Sequence, residues 1–285
     1  MFRKSQSAME YLMTYGWSIL IIAVVLGALS FLGVFNPVTF APKAAPGSCQ
    51  VIKNVQLGVS NLEGSCNNQV PQYVAQFNGQ TGYINLGLDK FDYQDITVCT
   101  WFKSGAYTSA DQRVVTSGSE NTHLWMLSIT AGGCPDSNTV CMVMSNTSTT
   151  AATVMSDNPV NNNEWYFACG VSQPESLYIN GVLQTSSVTE GWSFLSGSNI
   201  GSKGGTSYFY NGTLANVQIY NTTLTSSSVK TLYHEGIGGA PIDLQNLVGW
   251  YPLNGNGNDY SGNGNEGTPA NVDFISNWYN GYTQP

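Results

Sequence analysis

Charge is scarce in this chain. Asp, Glu, Lys and Arg make up 9% of it, with nine basic residues against seventeen acidic ones and a formal net charge of −8. So few Lys and Arg cannot form a positive face that neutralises a phosphate backbone, which excludes a nucleic-acid partner. Histidine is scarcer still. The two present, His123 and His234, stand far apart with no Ser or Asp at a spacing that suggests a nucleophile and its base. Glycosidase chemistry needs two carboxylates flanking a sugar, and no strand-like segment carries an acid-x-acid pattern with a third acid beyond it. The nearest stretch, Asp89 to Asp95, reads as a solvated turn. Cys-x-x-Cys pairs and Cys/His clusters are missing, which removes the usual zinc frameworks. These absences argue against an enzyme.

Long apolar runs are also missing, with one exception at the N-terminal end. Arg3 and Lys4 are followed by a short polar break, a single acid at Glu10, and an uncharged apolar stretch from Tyr11 to Phe35. As a helix that stretch would reach roughly 37 Å, enough to cross a hydrocarbon core of about 30 Å. It exceeds the 7–15 residues usual for the apolar core of a secretory signal. The flanking positive charges favour a cytoplasmic N-terminus and place the remainder outside the membrane, at the cell surface. Gly16, Gly27, Ala28, Ser30 and Gly33 interrupt the bulky residues and permit close helix approach. Asn36-Pro37 ends the segment.

The string Lys4-Ser5-Gln6-Ser7-Ala8-Met9-Glu10-Tyr11-Leu12 resembles the class III signal peptide of archaeal type IV pilins. That resemblance implies cleavage between Ser5 and Gln6 by a prepilin-type peptidase, with the helix retained. Gln6 then becomes the N-terminus and Glu10 the fifth mature residue, where pilins keep an acid. In a filament core that carboxylate would neutralise the free amine of a neighbouring subunit, since an unpaired buried charge is costly. Ala8 departs from the Ser often found at the third mature position. The resemblance divides the chain into a leader (1–5), a transmembrane or filament-core helix (6–36), a linker with a short disulfide-closed segment (37–69) and a head (70–285).

The head is rich in Asn, Ser, Thr and Gly, yet the chain is 12% aromatic, which argues against disorder. Short apolar segments alternate with turn clusters: Tyr73 to Phe77, Gly82 to Leu86, Ile96 to Phe102, Leu124 to Ile129, Cys141 to Met144, Trp165 to Val171, Leu177 to Ile179, Leu214 to Tyr220 and Val248 to Leu253. This spacing predicts an all-β sandwich. Asn78-Gly79, Asn180-Gly181 and Asn211-Gly212 tolerate the positive φ of tight hairpins. Leu224 to Glu235 alone reads as helix, with Thr225 or Ser226 as its cap.

In order, Ala75-Gln76-Phe77-Asn78-Gly79, Asp95 to Phe102, Glu164 to Cys169, Leu177 to Gly181, Ile200-Gly201, Tyr210 to Tyr220 and Leu224-Thr225 resemble the laminin G-like or concanavalin A-like jelly roll, in the branch that includes the pentraxins. The fold class is thus an N-terminal transmembrane helix followed by a jelly-roll sandwich. The segment from Gly249 to Asn265 looks like one that often opens such domains. Here it comes late, so it serves as an edge strand of the same sandwich or pairs with a neighbouring subunit.

Six cysteines in an oxidising compartment point to disulfides, with fifteen pairings open. Strand alternation puts Cys99 and Cys169 towards one core. The pentraxin resemblance implies that these two are joined, which leaves Cys134 with Cys141 and Cys49 with Cys66 as local pairs. Asn254, Asn256, Asn258, Asp259 and Ser261 offer hard oxygen ligands to a Ca2+ ion in a glycine-rich loop, although only one is a carboxylate. The pentraxin calcium loop would follow Ile200-Gly201, where Ser202 and Lys203 stand instead. Asn146, Asn211 and Asn221 begin glycosylation sequons.

These observations support a pilin-like, surface-displayed subunit whose head mediates adhesion or binds glycans, with other pilin subunits, the peptidase and the membrane as partners. The alternative is a non-polymerising, membrane-anchored lectin-like receptor. Tyr107, Trp192, Tyr208, Trp278 and Tyr279 are the loop aromatics available to stack on sugar rings.

Overall fold

The computed structural model describes residues 4–32, 34–35, 37–54, 56–66, 69–88, 90–105, 111–117, 123–129, 138–147, 150–190 and 197–285. At 4–12, 14, 37, 145–147, 150–152 and 188–190 only the backbone is described. The chain divides into two compact units, Met1–Ala41 and Pro42–Pro285.

The first unit is built on helix α1 (Lys4–Phe31). Trp17, Ile19, Leu20, Ile21, Ile22, Val24, Val25 and Leu26 are consecutive enough to ring the helix, and each is exposed. No narrow apolar stripe forms, so α1 lacks the pattern of a helix that lies against a globular core. Among the described residues, no helix is long and apolar enough to cross a membrane.

The second unit opens with β1 (Lys43–Ala44), the hairpin β2 (Cys49–Asn54) and β3 (Val59–Gly64), and β4 (Val70–Pro71). The disulfide-closed segment expected within residues 37–69 is present, and the residues around it pair with distant backbone. β1 pairs in parallel with β4, the Cys49–Cys66 disulfide closes the hairpin, and Val51 donates its N–H to the Tyr260 carbonyl at 2.8 Å. Pro42, Pro46 and Gly47 suggested a stalk, but long-range backbone pairing determines how this segment folds.

The sandwich follows with β5 (Val74–Asn78), β6 (Tyr83–Gly87), β7 (Thr97–Ser104), β8 (Gln112–Ser117), β9 (Leu124–Ile129), β10 (Val140–Thr147) and β11 (Thr150–Met155). It continues through β12 (Trp165–Ser172), β13 (Glu175–Ile179), β14 (Val182–Leu183), β15 (Ser186–Glu190), β16 (Ser198–Ile200) and β17 (Asn211–Tyr220). Helix α2 (Ser226–Glu235) and strands β18 (Leu247–Tyr251), β19 (Thr268–Ala270) and β20 (Asp273–Ile275) complete it. One sheet runs β15-β11-β10-β9-β8-β16-β6-β19, and the other runs β14-β13-β12-β7-β17-β5-β20 with β18 beside β17. Phe77, Ile84, Leu86, Phe102, Trp125, Leu127, Met142, Leu214 and Val217 form the core between them.

The late segment pairs within its own subunit. β18 lies antiparallel to β17, β19 to β6, and β20 to β5. Residue 216 makes room for β18: the β7–β17 register shifts between Ala215 and Gln218, and Asn216 takes a φ of 52°.

Strand β7 is buried on both faces except at Lys103. Its outer face is covered by an aromatic layer. The Trp101 ring stacks on Tyr233 of α2 at 5.8 Å and meets Tyr282 edge-on at 5.4 Å, while Trp165 meets Trp278 at 5.9 Å. Thr225 caps α2 by accepting the Ser228 N–H at 3.2 Å, and Val229 and Leu232 bury its inner face.

Candidate functional site

Only one of the five loop aromatics is both described and prominently exposed. Trp278 is 0% exposed, Tyr279 is half-buried, and Tyr107 and Trp192 lie outside the described residues. Tyr208 is 42% exposed. It sits in the connection from β16 to β17, where the backbone makes a tight hairpin. Lys203 donates its N–H to the Ser207 carbonyl at 2.9 Å, and Ser207 donates back to the Lys203 carbonyl at 3.3 Å. Gly201 has a φ of +85°, and a Cβ there would come within 2.4 Å of the Phe77 ring, so only glycine lets the connection leave β16.

Tyr208 itself takes a φ of 52°, an unusual backbone for a bulky residue. The neighbouring strand holds it there: Arg113 of β8 donates its N–H to the Tyr208 carbonyl at 2.9 Å. Strain fixed in this way often accompanies a functional loop. The ring draws two of the few cations in the chain. The Arg113 guanidinium lies 5.1 Å from its centroid and the Lys203 ammonium 5.2 Å, both within cation–π range.

An acid lies beneath these cations. Asp111 pairs with Arg113 at 2.6 Å, and both side chains are nearly buried, 7% and 5% exposed. Oδ1 of Asp111 has no hydrogen-bond partner among the described residues. Burial pushes the Asp111 carboxyl up to about 6, outweighing the opposing pull of Arg113 and Lys203. Burial also lowers the pKa of Lys203, with nearby Arg113 acting in the same direction. A buried, perturbed carboxylate beside two cations and an exposed, strained aromatic is the combination expected of a binding surface.

In the late loop, where calcium ligands are expected, the side chains form a hydrogen-bonded clasp. Asp259 Oδ1 accepts the N–H groups of Trp250 and Ser261, and its Oδ2 accepts from Ser261 Oγ and Asn265 N, all at 2.9–3.0 Å. Asn256 Oδ1 accepts the Asn258 N–H at 3.1 Å. Asn254 bonds to the Tyr73 N–H and the Ala44 carbonyl. Oxygens of Asp259, Asn256 and Asn254 thus face N–H and O–H donors. Among the described residues, no group of three or more His, Cys, Asp or Glu has metal-holding geometry.

A separate cleft of about 480 Å³, open to solvent, lies beside the Cys49–Cys66 disulfide and is lined by Asn216, Ile237, Trp250 and Pro252. Its main polar side chain is already engaged: Asn216 accepts the Trp250 indole N–H at 2.8 Å and donates to the Gly239 carbonyl at 2.8 Å.

Cys99 and Cys169 are joined across directly paired strands, with Cα atoms 4.0 Å apart. They share the face of Trp101 and Phe167, and so lie in the outer aromatic layer instead of the space between the sheets. Cys141 is disulfide-bonded, and its expected partner Cys134 lies outside the described residues. Asn211 is half-buried, and an added Cβ at Gly79 or Gly105 would come within 2.9 or 3.2 Å of its side chain. Asn221 follows β17 and is half-buried. Ser5, Gln6 and Glu10 lie on α1, and Asn146 on β10; their side chains are outside the described residues. His123 accompanies Asp92 at 3.0 Å, and His234 lies in the last turn of α2.

Sequence reasoning named Tyr208 but missed Asp111 and Arg113 altogether, and met Lys203 only as a misfit to a calcium loop. The separation of β8 from the 201–210 connection along the chain hid their convergence.

Residues 78–230 match the Laminin_G_3 model, described as the concanavalin A-like lectin/glucanases superfamily. Among solved structures, the chain is similar to a candidate carbohydrate-binding protein from Bacteroides ovatus, at 16% identity and a TM-score of 0.52 over 76% of this chain and 67% of that one. It is also similar to a heptameric SAP-like pentraxin from Limulus polyphemus, at 16% identity and a TM-score of 0.50 over 73% of this chain and 97% of that one. No curated protein matches the chain.

Proposed function

The chain belongs to the Laminin_G_3 family of the concanavalin A-like lectin/glucanase superfamily, and from that premise we propose that its head is a non-catalytic glycan-binding module. The observation that carries this reading is the exposed Tyr208 ring, held at positive φ with Arg113 and Lys203 over it. An aromatic face set among polar groups suits a sugar, whose C–H surface packs on the ring while its hydroxyls reach the rim. The carbohydrate-binding description of the Bacteroides ovatus protein supports the same ligand class.

The apolar residues ringing α1 support a role for that helix inside an apolar environment, and the cell surface as the place where the head works. The core of a filament meets that need, and so does a membrane anchor, for which the described part of α1 alone is not long and apolar enough. The pilin-type reading rests on the Lys4–Leu12 string, with cleavage before Gln6 and charge pairing through Glu10. N-terminal sequencing of protein from native cell-surface material tests it. A start at Gln6 supports the pilin-type subunit, and a start at Met1 or Phe2 supports the anchored receptor.

The glycan reading is tested on a glycan array with the detergent-solubilised full chain and its Tyr208→Ala variant. The expected result is retention of a defined subset of glycans by the native chain, at least tenfold weaker in the variant, with the unfolding midpoint little changed. Retention of no glycan by folded protein overturns the reading. Equal retention by both proteins moves the site away from Tyr208.

A further inference from the structure

We propose that the Tyr208 corner selects anionic saccharides, those bearing a carboxylate or sulfate, with Lys203 supplying the charge that recognises them. This rests on the glycan-binding reading and goes beyond it by naming the ligand's charge.

The distribution of charge carries the argument. The chain has nine basic residues and a formal net charge of −8, yet two of the nine converge on a single exposed ring. A positive spot on an acidic molecule concentrates field lines and draws anions to it. The two cations have different tasks. Arg113 is buried and committed to Asp111 and to holding the Tyr208 backbone, so it is a positioning residue. Lys203 is half-buried at the rim, and its ammonium is a compact point charge suited to either a carboxylate or a sulfate.

Asp111 does not reverse the sign of the corner. Its carboxylate is nearly buried behind Arg113, and one acid against two cations leaves the group positive. Burial favours its neutral form at mildly acidic pH, which makes the corner more positive still. Among the described residues, the titratable and charged side chains gathered here are Asp111 and Arg113 from the β8 end, Lys203 and Tyr208 from the β16–β17 connection, and Tyr83 of β6, whose ring lies beside Gly205.

The test uses an array of matched acidic and neutral glycans, probed with the full native chain and with Lys203→Gln. A control variant, Lys230→Gln, removes a charge from α2, away from the corner. An acidic glycan retained on the array is then titrated as the free acid and, where the acid is a carboxylate, as its methyl ester, which keeps the backbone and removes the charge. The proposal expects acidic glycans to dominate the retained set. It expects the free acid to bind at least tenfold more tightly than the ester, and Lys203→Gln to reduce that gap at least fivefold, while Lys230→Gln leaves the gap in place. Separate carboxylated and sulfated arms identify which anion is preferred. A retained set made only of neutral glycans overturns this inference and leaves the glycan-binding reading standing. Retention of no glycan overturns both. An acid preference that survives Lys203→Gln, or that Lys230→Gln removes equally, also overturns the inference.

Discussion

Trp278 and Tyr208 look alike in the sequence, each an aromatic among turn-forming residues, but they lie in opposite kinds of environment. Trp278 is fully buried, donates its indole N–H to the Pro71 carbonyl at 3.1 Å, and accepts the Trp165 indole N–H on its own carbonyl at 3.1 Å. Around Tyr208 the backbone is strained, an acid is buried with one oxygen unpartnered among the described residues, and two cations attend an exposed ring. The first region is built for cohesion and the second retains features that cohesion alone would remove. Consistency between local and global preference marks a structural region, and local violation marks a working one.

Truncating the cohesive region gives the largest expected effect. Trp278→Ala empties the centre of the outer aromatic layer and is expected to cost about 3–5 kcal/mol in chemical denaturation. Glycan affinity per folded molecule is expected to stay unchanged. A loss below about 1 kcal/mol would erase the distinction between the two aromatics.

The buried acid comes next. With a native pKa of about 6 against an ordinary 3.8, folded protein holds the Asp111 proton more tightly than the unfolded chain does. The stability tied to this group is therefore fully present below the ordinary value and lost as pH rises through the folded one, by about 3 kcal/mol. Asp111→Asn is expected to remove that fall, seen by comparing urea unfolding of both proteins from about pH 4 to about pH 6.5. Parallel pH profiles would contradict it.

Gly201→Ala places a methyl group against Phe77 at a φ that L residues resist. A cost of about 1–3 kcal/mol is expected, accompanied by weakened glycan retention because the connection carries Tyr208. Denaturation together with the array separates these two effects. The smallest effect belongs to the edge of the cohesive region. Thr225→Ala removes the α2 cap and is expected to cost about 1 kcal/mol, with binding unaffected.

Alternation and turn chemistry made most of the sandwich legible. The segments at Tyr73 to Phe77, Leu124 to Ile129 and Trp165 to Val171 became β5, β9 and β12, and Thr225 caps α2 as its residue type suggested. β8 stayed hidden because Gln112, Arg113, Thr116 and Ser117 read as surface, yet every residue of the strand is buried. The disulfide-closed segment at Cys49–Cys66 is present as expected, but the packing of β2 and β3 is not written locally, because its partners, Leu247, Tyr260 and Asn263, lie far along the chain. The candidate site was half legible. An aromatic in a loop can be picked out, but which charges reach it depends on tertiary approach that no local pattern encodes.

The dispersal of β18, β19 and β20 between two sheets has a consequence for timing. β5 meets its final neighbour only when β20 arrives, and Trp278 closes on Pro71 across 207 positions of chain. Contacts this distant form slowly, because the entropy of closing the loop is lost before the contact stabilises anything. Through most of its synthesis the head therefore exposes the bare edge of β5 and the uncovered face of Trp101. A chain exported while it is being made would benefit from a holding factor until its last strands emerge.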